Sequence, residues 1–313
     1  MMPHLKLSGI IPPMITPLNP DFSLDKENTE NLLDHLIKGG VHGVFILGTT
    51  GEFSGLSTQV KEELITLTCK KVGNQIPVLV GITHCAWDES IHLAKLASNL
   101  GATALVAAPP FYMNIGQSEL EDYYLKLADT IDLPLLLYNM PSHTGIVIEV
   151  LTVKSLSEHP NIIGIKDSGG DLSYFKDLCH KFEGQQKFRI FVGPEEILAP
   201  TLKMGGHGGV TGGANLFPEF YVEAFGAFEQ KDEKRLGELQ DCIGFLSEQL
   251  YENATYKSSY LKGLKAAMSL EGLCNGVLAP PLSAYTKEES DEIQVRLERV
   301  KERVNQVLSS SKA

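Results

Sequence analysis

Short apolar runs recur eight times in the chain, and a longer stretch with helical spacing follows each of them. The runs are Ser8–Ile15, Gly43–Leu47, Pro77–Ile82, Ala104–Ala108, Pro134–Tyr138, Ile162–Lys166, Phe188–Val192 and Gly208–Thr211. Their hydrophobicity is continuous rather than alternating, which fits strands buried on both faces of a parallel sheet. Between them, apolar residues fall on one helical face, as at Leu32, Leu33, Leu36 and Ile37, or at Leu93, Leu96, Ala97 and Leu100. Such stripes bury against a sheet and leave the polar face to solvent. Ser57 is placed to cap the helix that carries Val60, Leu64 and Leu67.

A strand followed by a helix, eight times over, points to a TIM (β/α)8 barrel. The alternative is an open doubly wound sheet. That fold normally brings a glycine-rich turn after its first strand, and Pro12-Pro13-Met14-Ile15-Thr16-Pro17 is unsuited to one. After residue 230 the strand signal stops. Residues 232–250, 255–270 and 287–308 read as helices, with Ala279-Pro280-Pro281 turning the chain between the last two. The expected division is a barrel over residues 1–230 and a small C-terminal helical extension over 231–313, too short to need chemistry of its own.

Charge and cysteines narrow the class. With 27 basic and 39 acidic residues the net charge is −12, which argues against a polyanion or anionic lipid as partner. The five cysteines are odd in number and form no CxxC pair, so no disulfide framework or metal knuckle is expected. The nine histidines make no HExxH pair, and no metal is expected. Residues 1–6 show no apolar leader, and no run approaches the ~18 residues of a membrane span. A cytoplasmic protein is the expectation.

In a barrel the chemistry gathers where strands end at their C-terminal side. Three such ends stand out. Ile162–Ile165 runs into Lys166, and a lysine continuing an apolar strand is either a desolvated amine fit to form an imine or a side chain that snorkels to solvent. Pro134–Leu137 runs into Tyr138, a proton shuttle or an aromatic filler. Val44–Leu47 runs into Gly48-Thr49-Thr50-Gly51-Glu52, which can converge N–H groups and hydroxyls on a carboxylate or be an ordinary turn. The run Gly205–Gly213, which includes Val210, can bind phosphate or simply admit close backbone approach.

Gly48-Thr49-Thr50-Gly51-Glu52, Tyr138-Asn139-Met140-Pro141 and Gly164-Ile165-Lys166-Asp167 resemble motifs of the dihydrodipicolinate synthase / N-acetylneuraminate lyase family, over nearly the whole chain. The resemblance implies a class I lyase on a TIM barrel. Lys166 forms an imine with the 2-oxo carbon of pyruvate or a 2-oxo acid, and that covalent imine replaces any cofactor. Thr49 and Thr50 hold the carboxylate, and Tyr138 moves protons. Tyr112, after Pro110-Phe111, resembles the tyrosine that enters a neighbouring subunit's site. It completes a Thr50–Tyr138–Tyr112 relay and requires a homo-oligomer, commonly a dimer of dimers.

The subclass turns on finer positions. Dihydrodipicolinate synthases typically carry an arginine two residues after the proline of the Tyr-Asn-x-Pro motif, where this chain has His143. An imidazole is a poor substitute for a permanently charged fork. Ser168 and the Gly193-Pro194-Glu195-Glu196 loop resemble sugar-acid contacts of the sialic-acid lyases, whose serine is here Gly212. Glu195 and Glu196 read equally well as first-turn helix acids. Gly193, Glu195, Val210 and His143 join Ser168 as candidate substrate contacts. The expected reaction is retro-aldol cleavage of a hydroxylated 2-oxo acid to pyruvate and an aldehyde, such as a 2-keto-3-deoxy sugar acid, 4-hydroxy-2-oxoglutarate or an N-acetylneuraminate-like substrate. Alternatives are condensation of pyruvate with aspartate semialdehyde, sugar-acid dehydration, or, from another class, a non-catalytic 2-oxo acid sensor.

Overall fold

The computed structural model describes residues 7–185 and 187–310; residues 1–6, from which no leader is read, lie outside the described residues. Eight parallel strands alternate with helices. In chain order the elements are β1 (Gly9–Ile10), α1 (Lys26–Lys38), β2 (Val44–Ile46), α2 (Thr58–Val72), β3 (Val78–Gly81), α3 (Trp87–Asn99), β4 (Ala104–Ala107), α4 (Gln117–Thr130) and β5 (Leu135–Asn139). After the short α5 (Pro141–Thr144) come α6 (Val150–Leu156), β6 (Ile162–Asp167), α7 (Leu172–Lys181), β7 (Arg189–Val192), α8 (Leu198–Lys203), β8 (Gly208–Gly209) and α9 (Pro218–Glu229). Three more helices follow, α10 (Glu233–Tyr251), α11 (Ser259–Leu270) and α12 (Lys287–Ser310).

The sheet runs β1-β8-β7-β6-β5-β4-β3-β2, and the bridge Pro13↔Phe45 joins its ends into a ring. The open-sheet alternative is thereby excluded. The closing strands are much shorter than their apolar runs. Pro12 and Pro13 have no N–H to give a ladder, so after Ile11 the chain continues only as single bridges. At the seam, Gly9 pairs with Gly208, and a Cβ on Gly208 would lie 2.0 Å from the Gly9 carbonyl oxygen. Asn215 staples the seam from beyond β8. It accepts the Ile15 N–H at 3.1 Å and donates to the Pro13 carbonyl at 3.0 Å.

Two apolar cores result. Ile11, Phe45, Leu79, Val106, Leu136, Phe191 and Val210 fill the inside of the ring. The larger core lies between the sheet and its helices, where Leu32, Leu33 and Leu36, or Leu64 and Ile65, are fully buried. Ser57 caps α2 as its position suggests, accepting the Val60 N–H at 3.2 Å. The helix expected from residue 255 begins at Ser259, because the Tyr256 N–H turns back to the Asn253 carbonyl first. No described helix is long and apolar enough to cross a membrane.

Candidate active site

The C-terminal ends of β2, β5 and β6 open into a cavity of about 650 Å³. Its floor depends on one irregularity. Between Leu135 and Leu136 the β5–β6 register shifts, so that Tyr138 stands beside Lys166. Side chains alternate along a strand, so a slip of one residue would turn Lys166 out of the ring. As built, Lys166 is 5% exposed and its Nζ lies 4.1 Å from the centre of the Tyr138 ring and 5.2 Å from that of Phe45. The Lys166 side chain does not snorkel to solvent. Its neighbour Asp167 faces away, accepting from Asn139 Nδ2 at 2.7 Å and from the Gly169 N–H at 3.0 Å. Burial raises the Asp167 carboxyl pKa, against those two bonds.

The β2 turn is strained and tightly held. Leu47 and Glu52 bracket Gly48–Gly51 with φ of 58° and 57°, left-handed values costly for residues with a Cβ. Thr16 Oγ1 donates to the Gly51 carbonyl at 2.7 Å from inside the fold. Glu52 is buried and accepts from Lys265 Nζ at 2.5 Å and from the Ala279 N–H at 2.6 Å. Held this way, the turn splits its two hydroxyls. Thr49 Oγ1 lies 3.1 Å from the Tyr138 hydroxyl, and Thr50 Oγ1 lies 3.1 Å from the hydroxyl of Tyr260.

That split corrects the expected relay. Successive side chains on the turn diverge, so Thr49, not Thr50, meets Tyr138. Tyr112 is 92% exposed and does not line the cavity of its own chain, whereas its neighbour Phe111 does. Ser168, Gly193, Val210 and His143 all line the cavity. Gly193 is needed there, because a Cβ would sit 2.0 Å from Ser168 Oγ. His143 stands at the rim, on α5. Desolvation on its protein side holds the imidazole below its ordinary pKa, so it is uncharged at neutral pH.

Glu195 is a first-turn acid of the short 3-10 helix Glu195–Ile197. It borders the cavity but is 3% exposed, and its carboxylate is engaged within the protein. Oε1 accepts from the Tyr221 hydroxyl at 2.6 Å and the Tyr251 hydroxyl at 3.1 Å, and Oε2 accepts the Gly213 N–H at 2.8 Å. A substrate would have to displace one of these bonds. Glu196 is more accessible, with Oε1 accepting from Ser247 at 2.5 Å. Burial, then the Glu196 charge, push the Glu195 carboxyl up to about 7. From the ordinary value of 4.5 upward the unfolded chain therefore ionises while folded Glu195 stays neutral. This group lowers stability as pH rises through that window, by up to about 3 kcal/mol, and the loss is complete above the folded pKa. Glu195→Gln is expected to flatten the fall in Tm between pH 5 and 8. An unchanged slope would acquit Glu195.

The C-terminal helices are not a passive tail. Tyr251 ends α10, Lys257 and Ser258 follow it, Tyr260 and Leu261 open α11, and Ala279–Leu282 lie opposite, all on the cavity wall. Strand ends alone carry no trace of them. A cluster of tyrosines at Tyr251, Tyr256 and Tyr260 was the one available signal.

A model of the dihydrodipicolinate synthetase family matches residues 6–300. A structure of dihydrodipicolinate synthase from Bacteroides thetaiotaomicron is 43% identical, with a TM-score of 0.91, over 94% of this chain and 98% of that one. YagE of Escherichia coli K12, solved in complex with pyruvate, is 29% identical, with a TM-score of 0.88, over 94% and 99% of the two chains. A probable 2-dehydro-3-deoxy-D-pentonate aldolase of Escherichia coli is 32% identical over 297 residues, 93% of this chain and 97% of its own.

Proposed function

The chain belongs to the dihydrodipicolinate synthetase family of lysine-imine lyases and aldolases, and from that premise we propose that it cleaves a hydroxylated 2-oxo acid to pyruvate and an aldehyde. One observation carries the choice of reaction. The position from which family synthases present an arginine to the second substrate is held here by His143, uncharged at the cavity rim. A neutral ring does not grip the carboxylate of aspartate semialdehyde, but it suits a polyol tail.

Lys166 Nζ adds to the 2-oxo carbon, and loss of water leaves an iminium that draws electrons from the neighbouring bonds. Hydroxyls of the Thr49–Thr50 turn orient the carboxylate. Tyr138, poised by Thr49, removes the proton of the 4-hydroxyl as the C3–C4 bond breaks. The bonding pair moves into an enamine and the aldehyde departs. Protonation at C3 and hydrolysis then release pyruvate and restore the amine. Ser168, Gly193 and Val210 line the tail beyond C3. No cofactor beyond the imine enters this scheme. Residues 1–230 supply the reacting groups, and 231–313 lend one wall. The exposed Tyr112 and Met113 fit insertion into a second copy of the chain in a cytoplasmic homo-oligomer.

Condensation with aspartate semialdehyde is the second reading. It is favoured by Lys257, an exposed ammonium on the cavity rim, and by the likeness to the Bacteroides synthase. The two readings separate in one assay series. Pyruvate release from five- and six-carbon 2-keto-3-deoxy acids is expected to exceed condensation with the semialdehyde by roughly 10² or more in kcat/KM. The opposite order would overturn the assignment made from His143.

A further inference from the structure

Two adjacent threonines each hold one tyrosine hydroxyl, and only the Thr49–Tyr138 pair belongs to the chemistry above. The second tyrosine, Tyr260, stands on the other side of the cavity on α11. Its ring meets the edge of Tyr251 at 4.9 Å and 79°, and Tyr251 in turn donates to Glu195. Opposite, the β8 loop has been cleared for it. A Cβ on Gly212 would lie 1.8 Å from the Tyr260 hydroxyl, and one on Gly213 would lie 2.1 Å from the Tyr221 hydroxyl. The glycine run thus serves close approach to phenols. So elaborate a support leaves Tyr260 with one described hydrogen-bond partner, Thr50.

We propose that Tyr260 is a positioning residue that fixes the Thr50 hydroxyl so that it donates to the carboxylate of the bound 2-oxo acid. The inference rests on the reading that the Thr49–Thr50 turn receives that carboxylate. Burial, then the nearby Glu195, raise the Tyr260 pKa, so its oxygen keeps its proton and has one O–H to give. In the arrangement proposed that hydrogen goes to Thr50 Oγ1, the one described partner of the Tyr260 hydroxyl, and the hydrogen of Thr50 itself is directed into the cavity. A hydroxyl whose acceptor role is already filled is a dedicated donor. Without Tyr260 the Thr50 hydroxyl rotates freely, and a charge-assisted hydrogen bond to substrate loses its orientation.

The test follows pyruvate in two ways, by calorimetric titration and by the yield of the Lys166 adduct trapped with borohydride. Tyr260→Phe is expected to raise the half-saturating pyruvate concentration about tenfold while leaving the adduct yield at saturation unchanged. Thr50→Val, which removes the donor itself, should give at least that rise, and the double variant no more than Thr50→Val alone, because Tyr260 acts only through Thr50. Gly212→Ala, which must push the Tyr260 hydroxyl aside, should reproduce the weakening without touching either partner chemically. Unchanged half-saturation in Tyr260→Phe, or additive effects in the double variant, would overturn the proposal. A lower saturating yield at unchanged half-saturation would do the same. Wild-type protein that binds pyruvate without forming the adduct would sink the imine at Lys166, yet the calorimetric comparison would still judge Tyr260. Wild-type protein that binds no pyruvate would overturn both.

Discussion

Lys166→Met is expected to abolish the borohydride-trapped pyruvate adduct and to lower turnover by about four orders of magnitude or more. Among the described residues two lysines line the cavity, and Lys166 is the buried one. It is 5% exposed and packed over the faces of Tyr138 and Phe45, whereas Lys257, the other lysine on the cavity wall, is exposed at the rim. Methionine matches the length of the lysine stem and lies comfortably against two aromatic faces, so the fold should survive the change. Lys166→Arg should be equally inactive, since a guanidinium forms no imine. Peptide mapping after trapping decides the matter. A pyruvate adduct retained at full yield in Lys166→Met would place the imine elsewhere and dismantle the mechanism.

Lys265→Met should cost about 3–5 kcal/mol of folding stability, because it strands the Glu52 carboxylate in the interior. The two side chains are 1% and 3% exposed, and their 2.5 Å bond joins α11 to the strained end of the β2 turn. Burial of an ion pair does not in itself favour folding, since both ions leave water. Removing one partner is another matter, and the Ala279 N–H offers Glu52 only partial compensation. Glu52→Gln in the Lys265→Met background should recover much of the loss, as the amide oxygen still accepts from Ala279 and no charge remains. Denaturant titration reads both effects. A Lys265→Met midpoint equal to that of the wild type would show that the pair does not hold the helix to the turn.

The barrel was legible because its strands are buried on both faces, so that burial and sequence run in step. Lys166, Tyr138 and the 48–52 turn were legible for a related reason. Each breaks an apolar run at the end where a barrel gathers its chemistry. What lay hidden is non-local. Tyr260 meets Thr50 across 210 positions, and Lys265 meets Glu52 across 213. A helical lysine reads as a solvated one, and neither Lys265 nor the equally buried Lys262 betrays its burial by spacing. Glu195 has the composition of a sugar contact or a helix-terminal acid. The tyrosines of α9 and α10 that converge on its carboxylate lie 26 and 56 positions away, beyond the reach of local spacing. The partition of Thr49 and Thr50 depends on backbone strain, which residue types do not announce.

The seam between Gly9 and Gly208 also governs the order in which the ring can be assembled as the chain grows. Strands β2 to β7 each find a partner among the residues made just before or just after them. The first strand finds only one of its two neighbours that way, where the Ile10 carbonyl accepts the His42 N–H at 2.8 Å and Pro13 bridges Phe45. Its other partner β8, and the Asn215 amide that staples Ile15 from 200 residues away, emerge only once the rest of the ring is built. Contacts so distant in sequence bring reward only after a large loss of chain entropy. Ile10 and Ile11, among the most deeply buried residues, therefore complete their burial only once synthesis has passed β8. The site inherits that timing, because the Asn215 side chain also holds the Gly212 carbonyl at 2.9 Å, beside the seat of Tyr260.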